Sequence, residues 1–304
     1  MTLTNLQIEE LKASIHHVLR NKFDWAIDEI SFFANGVINA VFLVKEKNLG
    51  RLAVRIPWRS EEQMMDKESS AILSLKKEAA LSEHCFKHHL PVPKVHKLYL
   101  SENINFLVSD FIDGDDKEIS SFAIGELTSQ LHHIPIDGLS IIGQDGRSLP
   151  SIISKRITSR AGTLGGLMKQ DFLIPSTEEL ERVLNSSQIN DCLLHLDIRH
   201  PNLIGKQGHI KAIVDWDNAF IGNPIMELMR ISESQELHVE EFLKGYRDLS
   251  ILERTDGLIQ NIYRLDTALM LAILFTTFVP DSLKREYYVN RVQMLIQEIK
   301  IMVG

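Results

Sequence analysis

The stretch that decides the fold reads HLDIRHPNLI at residues 195–204 and, after a short turn, IVDWD at residues 213–217. Apolar residues beside the polar ones indicate short strands joined by loops. Phosphoryl transfer needs a carboxylate that orients the attacking hydroxyl and oxygen ligands that hold magnesium against the phosphates. The stretch supplies both, with Asp197 facing the hydroxyl and Asn202 and Asp215 as magnesium ligands.

Two other residues of this stretch have less definite roles. His195 is predicted to orient the loop that carries Asp197. Asp217 lies one alternation from Asp215 and points the same way along a strand, so it is either a third metal ligand or a supporting residue. A structural interpretation also stays open, because His195, Asp197 and Asn202 belong to residue types that cap turns.

The pattern His-x-Asp-x-x-x-x-Asn followed by Ile-Val-Asp-Trp-Asp resembles the aminoglycoside phosphotransferase and choline kinase-like family, which shares the protein-kinase fold. In that family a Gly-x-Pro-x-x-Asp segment ordinarily follows, and GNPIME at residues 222–227 matches it with Glu227 in place of the aspartate. The longer carboxylate can still accept backbone hydrogen bonds. The resemblance implies an α+β, two-lobed protein-kinase-like fold, with a small N-terminal antiparallel sheet and helix before a larger, mostly α lobe.

Local patterns along the chain agree with this order. Thr4 and Gln7 predict a capping box for an opening helix, and residues 61–89 lack Gly and Pro and predict a second helix. Runs of β-type residues that predict strands lie at residues 30–44, 52–56 and 104–112. The turn-prone segment 113–116 marks the predicted boundary, with a nucleotide-binding lobe at 1–112 and a catalytic and substrate-binding lobe at 113–304.

The resemblance also implies where the phosphates of a nucleotide bind. The hairpin at 30–44 looks like the family's nucleotide-covering loop, with Gly36 and Asn39 placed where backbone amides approach phosphate oxygens. Arg55 stands where the family has its phosphate-contacting lysine. An arginine keeps the charge, and its planar fork binds phosphate through two donors.

Two further nucleotide contacts follow from the resemblance. Glu78 resembles the helix glutamate that pairs with the phosphate-contacting cation, although Glu68 and Glu83 compete for this role. A hinge segment would bind the edge of the adenine or guanine base through its backbone, and it comprises Ser109, Asp110, Phe111 and Ile112.

Composition narrows the class of protein. The 41 acidic and 33 basic residues give a net charge of −8, which disfavours a nucleic-acid-binding protein and suits a cationic small substrate. The two cysteines, Cys85 and Cys192, lack metal or disulfide spacing. The N-terminus has no signal-peptide pattern, and the apolar run 268–279 is too short to span a membrane. These features predict a cytoplasmic protein without nucleic-acid or membrane partners.

Together with the resemblance, these features predict a phosphotransferase that uses Mg²⁺ and ATP or GTP to phosphorylate a hydroxyl group of a small molecule. Substrate contacts are assigned to Glu227 and Glu233. Glu233 belongs to an acidic set that is either a wall for a cationic acceptor or a solvated face, together with Glu236, Glu240 and Glu241. Aminoglycosides are the first acceptors to test, and the oligomeric state stays open.

Two other functions remain as alternatives. Arg55 in place of lysine and the single glycine of the hairpin favour a nucleotide-binding protein with little turnover. His195, Asp197 and His209 would form a non-haem iron site of two histidines and one carboxylate. Long helical stretches argue against the barrel on which such iron sites usually lie.

Overall fold

A five-stranded antiparallel sheet forms the N-terminal part of the chain in the computed structural model, which describes residues 3–36, 39–58 and 70–303. Its strands are β1 (Ile27–Asn35), β2 (Asn39–Glu46), β3 (Gly50–Pro57), β4 (Val95–Tyr99) and β5 (Phe106–Asp110). They lie in the order β1-β2-β3-β5-β4. Buried residues alternate with more exposed ones along β2 and β3, so the sheet has one apolar face.

Two helices accompany this sheet. Helix α1 (Asn5–Phe23) begins at the predicted capping box of Thr4 and Gln7, which is confirmed, and its apolar residues join the core on the sheet. Helix α2 (Ala71–Lys87) lies against β4 and β5 and begins at Ser70, whose side chain caps it. Residues 61–69 of the predicted second helix, including Glu68, lie outside the described residues.

The segment with the decisive motif forms a second, smaller sheet. A short 3-10 helix (His200–Asn202) leads into the antiparallel hairpin β7 (Leu203–Lys206) and β8 (His209–Ile213). The amide of Ile213 donates to the carbonyl of Pro91 at 2.8 Å, which ties the hairpin to the segment between α2 and β4.

The chain forms two compact units, and each is built from two segments. Unit 1 comprises Met1–Glu118 and His200–Asp217, and unit 2 comprises Ile119–Arg199 and Asn218–Gly304. The sequence predicts a single domain boundary between residues 112 and 113. As a compact unit, however, the N-terminal part also includes the hairpin segment, because that segment bonds to it. The functional division into nucleotide-binding and catalytic lobes stays a prediction.

Unit 2 is mostly helical. Its strands β6 (Cys192–Leu194) and β9 (Phe220–Gly222) form one antiparallel pair. Its helices are α3 (Ser121–His132), α4 (Leu149–Met168), α5 (Thr177–Leu184), α6 (Ile225–Ser234), α7 (Val239–Tyr246), α8 (Ser250–Arg254), α9 (Gly257–Ile273) and α10 (Ser282–Val303). The small sheet followed by many helices confirms the predicted α+β class.

Close packing of α3 on α7 depends on two glycines. A Cβ atom on Gly125 would overlap the carbonyl oxygen of Phe242, and one on Gly245 would overlap the carbonyl oxygen of Phe122. Only residues without a side chain allow this approach of two backbones.

One helical stretch of the described residues, Gly257–Phe278, is long and apolar enough to cross a membrane by length and composition. It consists of α9 and the π-helical segment Leu274–Phe278. Since 67% of its apolar window is buried inside the protein, the stretch has the environment of a core helix.

Candidate active site

Arg55 on β3 is the centre of a charged cluster in unit 1. Its Nη2 lies 2.8 Å from Asp215 Oδ1 and 3.5 Å from Asp217 Oδ2, and its Nη1 lies 3.3 Å from Glu78 Oε2. The ion pair between Arg55 and Glu78 is therefore the one that the sequence predicts. The cluster has three carboxylates for one guanidinium, so it carries excess negative charge.

Gly36 and Asn39 lie differently from the prediction of a loop whose amides approach phosphates. The amide of Gly36 donates to the carbonyl of Asn39 at 2.8 Å, so this turn already uses it. Asn39 begins β2, and its amide oxygen accepts from Arg55 Nη2 at 2.7 Å and Nε at 3.0 Å. Asn39 thus holds Arg55. The residues between them, Val37 and Ile38, lie outside the described part.

Glu78 also fixes the backbone of the IVDWD segment. Its Oε1 accepts from the amide of Asp215 at 3.3 Å, and its Oε2 accepts from the amide of Trp216 at 2.7 Å. Asp215 has a φ of 73°, a left-handed conformation that costs about 1 kcal/mol or more for a residue with a side chain. Two hydrogen bonds to a buried carboxylate hold this strained backbone in place.

Asp217 is bound by two residues of α2 that the sequence analysis missed. Ser74 Oγ donates to Asp217 Oδ1, and Lys77 Nζ donates to the backbone carbonyl of Asp217 at 2.8 Å. Ser74 precedes Glu78 by four residues, so both lie on one helix face, and this spacing was the available signal. Because Asp217 Oδ2 contacts Arg55, the carboxylate of Asp217 is engaged on both oxygens.

Asn202 and Asp215 lie at neighbouring ends of the β7–β8 hairpin. The carbonyl of Asn202 accepts from the amide of Val214 at 3.0 Å, directly before Asp215. Asn202 is buried, whereas the Asp215 side chain is 37% exposed. Asp215 is therefore the carboxylate of the cluster that solvent and ligands reach most easily.

The donor set of the cluster fits magnesium chemically. Oxygens of Glu78, Asp215 and Asp217 lie within 4.8 Å of one another, and this is the single such His, Cys, Asp or Glu group among the described residues. Hard oxygen ligands of this kind suit Mg²⁺, and the group contains no histidine or cysteine. The alternative of an iron site at His195, Asp197 and His209 therefore has no support in the described part of the chain.

Burial and neighbouring charges shift the pKa values of Arg55, Glu78 and Asp217. Burial would lower the pKa of Arg55, but Asp215, Glu78 and Asp217 hold it above the ordinary arginine value. Burial raises the pKa of Glu78 to about 6 against the opposing effect of Arg55. Burial also raises the pKa of Asp217, and Arg55 again opposes the shift. Arg55 thus opposes the rise that burial causes in the pKa of both Glu78 and Asp217.

The predicted hinge has fewer free amides than expected. The amide of Asp110 donates to the carbonyl of Lys94 at 2.9 Å, and the amide of Phe111 donates to the carbonyl of Arg51 at 3.1 Å. These two amides cannot also bind a base. The predicted base contacts are therefore restricted to the other backbone groups of residues 109–112.

In unit 2, Glu227 on α6 holds the loop after β6. Its Oε2 accepts from the amide of His195 at 2.9 Å, and its Oε1 accepts from the amide of Leu196 at 2.6 Å. Leu196 has a φ of 60°, so a glutamate again pins two successive amides at a left-handed residue. His132 Nε2 lies 3.2 Å from Glu227 Oε2, and Tyr246 contacts the other ring nitrogen of His132 at 2.8 Å.

Asp197 lies next in this loop, and its surroundings contain arginines. Its amide donates to Nδ1 of the buried His195 at 3.2 Å, so the two residues are linked within the loop. The Asp197 side chain is 21% exposed. Its Oδ1 lies 3.3 Å from Arg199 Nε and 4.0 Å from Arg230 Nη2. Neither arginine was predicted as a site residue.

The carboxylates of Glu227 and Glu233 have internal partners where the sequence predicts contacts with a substrate. Glu227 has no exposed surface, and both of its oxygens are bound to loop amides. Glu233 is 4% exposed, and its oxygens lie 2.8 and 3.2 Å from Nε and Nη2 of Arg291 on α10. Both carboxylates serve internal structure.

We expect Glu227→Gln to lower the free energy of unfolding by about 1–3 kcal/mol at neutral pH, because a glutamine NH₂ would face a loop amide that it cannot accept. Burial would raise the pKa of Glu227, but His132, together with the charge and amide of His195, holds it below the ordinary value. Its stabilising effect is therefore present above the unfolded pKa of roughly 4.3 and is lost as the pH falls through the folded pKa. Urea unfolding at several pH values measures this loss.

Glu286→Gln is a matched control, because Glu286 is an exposed residue of α10 in the same unit. The control should follow the wild type at every pH. An unchanged stability of Glu227→Gln at neutral pH would contradict the role of Glu227 in holding the loop.

Solved structures share the fold of this chain. A candidate fructosamine-3-kinase from Haemophilus somnus 129PT aligns with a TM-score of 0.64 and 18% identity, covering 94% of this chain and 96% of that one. The gentamicin complex of APH(2'')-IIa aligns with a TM-score of 0.63 and 16% identity over 97% and 100%. A thermostable APH(4)-Ia variant with ADP and hygromycin B gives 0.66 and 15% over 93% and 98%. No curated protein matches the chain in sequence.

The fold is the protein-kinase-like fold of these solved phosphotransferases. The model of the phosphotransferase enzyme family matches residues 29–257, three quarters of the chain, and the chain belongs to this family. The predicted class of enzyme, a phosphotransferase with an alcohol group as acceptor, is confirmed.

Proposed function

We propose that this protein transfers the γ-phosphoryl group of ATP to a hydroxyl group of a small molecule with the help of Mg²⁺. The observation that carries the proposal is the cluster in which Arg55 lies among Glu78, Asp215 and Asp217. ADP and hygromycin B are bound together in the APH(4)-Ia structure, which supports an adenine nucleotide as donor. GTP is the second donor to test.

In unit 1 the proposed roles concern the phosphates. Arg55 would bind phosphate oxygens through its planar fork, and Glu78 and Asn39 would keep that fork oriented. Asp215 and Asn202 would hold Mg²⁺, which supplies charge neutralisation at the phosphates when bound. Asp217 is bound to Ser74 and Arg55, so its proposed role is to position the segment that carries Asp215.

In unit 2 the proposed role of Asp197 is that of the general base. The acceptor oxygen forms a bond to the γ-phosphorus, the bond between that phosphorus and the β,γ-bridging oxygen breaks, and ADP leaves. The proton of the acceptor hydroxyl passes to an oxygen of Asp197. His195 and Glu227 keep the loop in the conformation that presents this carboxylate.

One observation favours the alternative of nucleotide binding with little turnover. The guanidinium of Arg55 already contacts Asn39 and three carboxylates, so it resembles a structural cation of the cluster. In that case nucleotide would bind without being consumed.

The test is an assay of phosphoryl transfer from γ-labelled ATP or GTP to a panel of hydroxyl compounds, with and without Mg²⁺. We expect acceptor-dependent and Mg²⁺-dependent release of ADP. Nucleotide at about 100 times its dissociation constant should also stabilise the protein by roughly 2.7 kcal/mol. Stabilisation without any transfer would support the binding protein, and the absence of both would exclude the two functions.

A further inference from the structure

Two arginines lie near Asp197 in unit 2, and their positive charge is unfavourable for a cationic acceptor. Arg199 contacts Asp197 and, at 3.9 Å, Glu236, so it lies between two acids. Arg230 approaches Asp197 from α6. The two buried acids assigned by sequence to the acceptor, Glu227 and Glu233, are bound internally and cannot balance these arginines.

Arg230 is the unusual member of this group. It is 7% exposed, its side chain makes no hydrogen bond to any residue in the described part of the chain, and Asp197 at 4.0 Å is its ion-pair partner. Burying a guanidinium is costly unless a ligand or water accepts hydrogen bonds from it. In agreement, burial lowers the pKa of Arg230 against the opposing charge of Asp197.

The charge of Asp266 favours the protonated form of Arg230, but other arginines bind the oxygens of this acid. Asp266 on α9 is fully buried, and its Oδ2 lies 2.6 Å from Arg156 Nη2 while its Oδ1 lies 3.1 Å from Arg160 Nη1. Two arginines of α4 therefore already use this carboxylate. Arg230 is left with the more distant Asp197, at 4.0 Å, as its ion-pair partner and with no closely bound carboxylate of its own.

We propose that Arg230, assisted by Arg199, binds an anionic group of the acceptor, either a carboxylate or a phosphate, beside the hydroxyl that Asp197 receives. This inference rests on the proposed function and specifies its substrate class as hydroxy acids or phosphorylated alcohols. The guanidinium suits this task because its planar fork binds both anions through two donors. An anion there would also supply the hydrogen bonds that Arg230 lacks.

The test compares acceptor probes of one size and different charge on the full chain. Glycerol is the neutral probe, glycerate carries a carboxylate and glycerol 3-phosphate carries a phosphate, while kanamycin represents the cationic class. We expect one or both anionic probes to stabilise the protein and to be phosphorylated with the lower KM. The proposal would be overturned if glycerol or kanamycin stabilised the protein and served as acceptor as well as the anionic probes do. It would also be overturned if neither anionic probe had any effect.

Variants at position 230 separate recognition from positioning. Arg230→Gln should raise KM for the anionic probe about 10–100-fold with kcat changed less than about threefold, because a charge-assisted bidentate contact is lost. Arg230→Lys keeps the charge without the fork and should recover part of the loss. An equal fall of kcat for neutral and anionic probes, with KM unchanged, would instead mean that Arg230 only positions Asp197.

Two controls keep the result independent of folding and of the proposed function. Arg182→Gln changes an exposed arginine on α5 of the same unit and should behave as the wild type. Mg²⁺ and ATP without acceptor should stabilise Arg230→Gln as much as the wild type. If ATP fails to stabilise either protein, the proposed function fails, whereas binding of glycerate or glycerol 3-phosphate would still decide the role of Arg230.

Discussion

Asp197→Asn is expected to lower kcat for phosphoryl transfer about 10²- to 10⁴-fold, because the amide cannot take the proton of the acceptor hydroxyl. The replacement has the same shape, so the loop held by His195 and Glu227 should keep its conformation. The KM for ATP should stay unchanged, since Asp197 has no proposed contact with the nucleotide. Steady-state kinetics with Mg²⁺ and ATP measure both constants.

The control for this variant is Asp171→Asn, at an exposed position in the same unit. It should retain the kcat of the wild type. A kcat of Asp197→Asn within threefold of the wild-type value would show that another group receives the proton, and the assigned base would then be wrong.

Arg55→Met is expected to lower the free energy of unfolding by about 3 kcal/mol, because it leaves three neighbouring carboxylates without their cation. The same variant should lose about 100-fold or more in kcat, since a preorganised positive charge at the phosphates is removed. Millimolar Mg²⁺ should then stabilise Arg55→Met more than the wild type, as the ion would replace the missing guanidinium. Urea unfolding with and without Mg²⁺ tests this difference.

Arg20→Met on α1 is the matched control, because Arg20 is exposed in the same unit. It should change neither stability nor the response to Mg²⁺ appreciably. If Mg²⁺ stabilises Arg55→Met and the wild type equally, the three carboxylates do not form a shared cation site.

The motif between residues 195 and 217 was predictable because its chemistry depends on short spacings in the chain. Asn202 precedes β7 and Asp215 follows β8, so the pairing of these two strands in a hairpin brings both residues to the same end. The capping box of Thr4 was predictable for the same reason, since a helix terminus satisfies its amides from within four residues. The pairing of Arg55 with Glu78 came from resemblance, not from spacing.

The roles of the buried acids were not predictable, because burial and distant partners decide them. Glu233 looks like a solvated or substrate-facing acid until α10 brings Arg291 to it from 58 positions further along the chain. Ser74 reaches Asp217 across 143 positions. Arg230 was missed because nothing in a sequence shows that a buried guanidinium lacks hydrogen bonds.

The same arrangement of hydrogen bonds holds a loop with a proposed functional role in each unit. A buried glutamate on a helix accepts two successive backbone amides at a residue with positive φ: Glu78 does so at Asp215, and Glu227 does so at Leu196. In each case the strained turn places an aspartate, Asp215 or Asp197, at a defined position. This explains why the family's aspartate can be replaced by glutamate at residue 227 without loss of the hydrogen bonds.

The proposed phosphate site is tested most directly by calorimetric titration of ATP into the wild type and into Asp215→Asn, each with and without Mg²⁺, with Asp113→Asn as an exposed control in the same unit. We expect Mg²⁺ to strengthen ATP binding to the wild type and to the control, and to have little effect on Asp215→Asn. Equal strengthening by Mg²⁺ in all three proteins would contradict the assignment of Asp215 as the carboxylate that holds the metal.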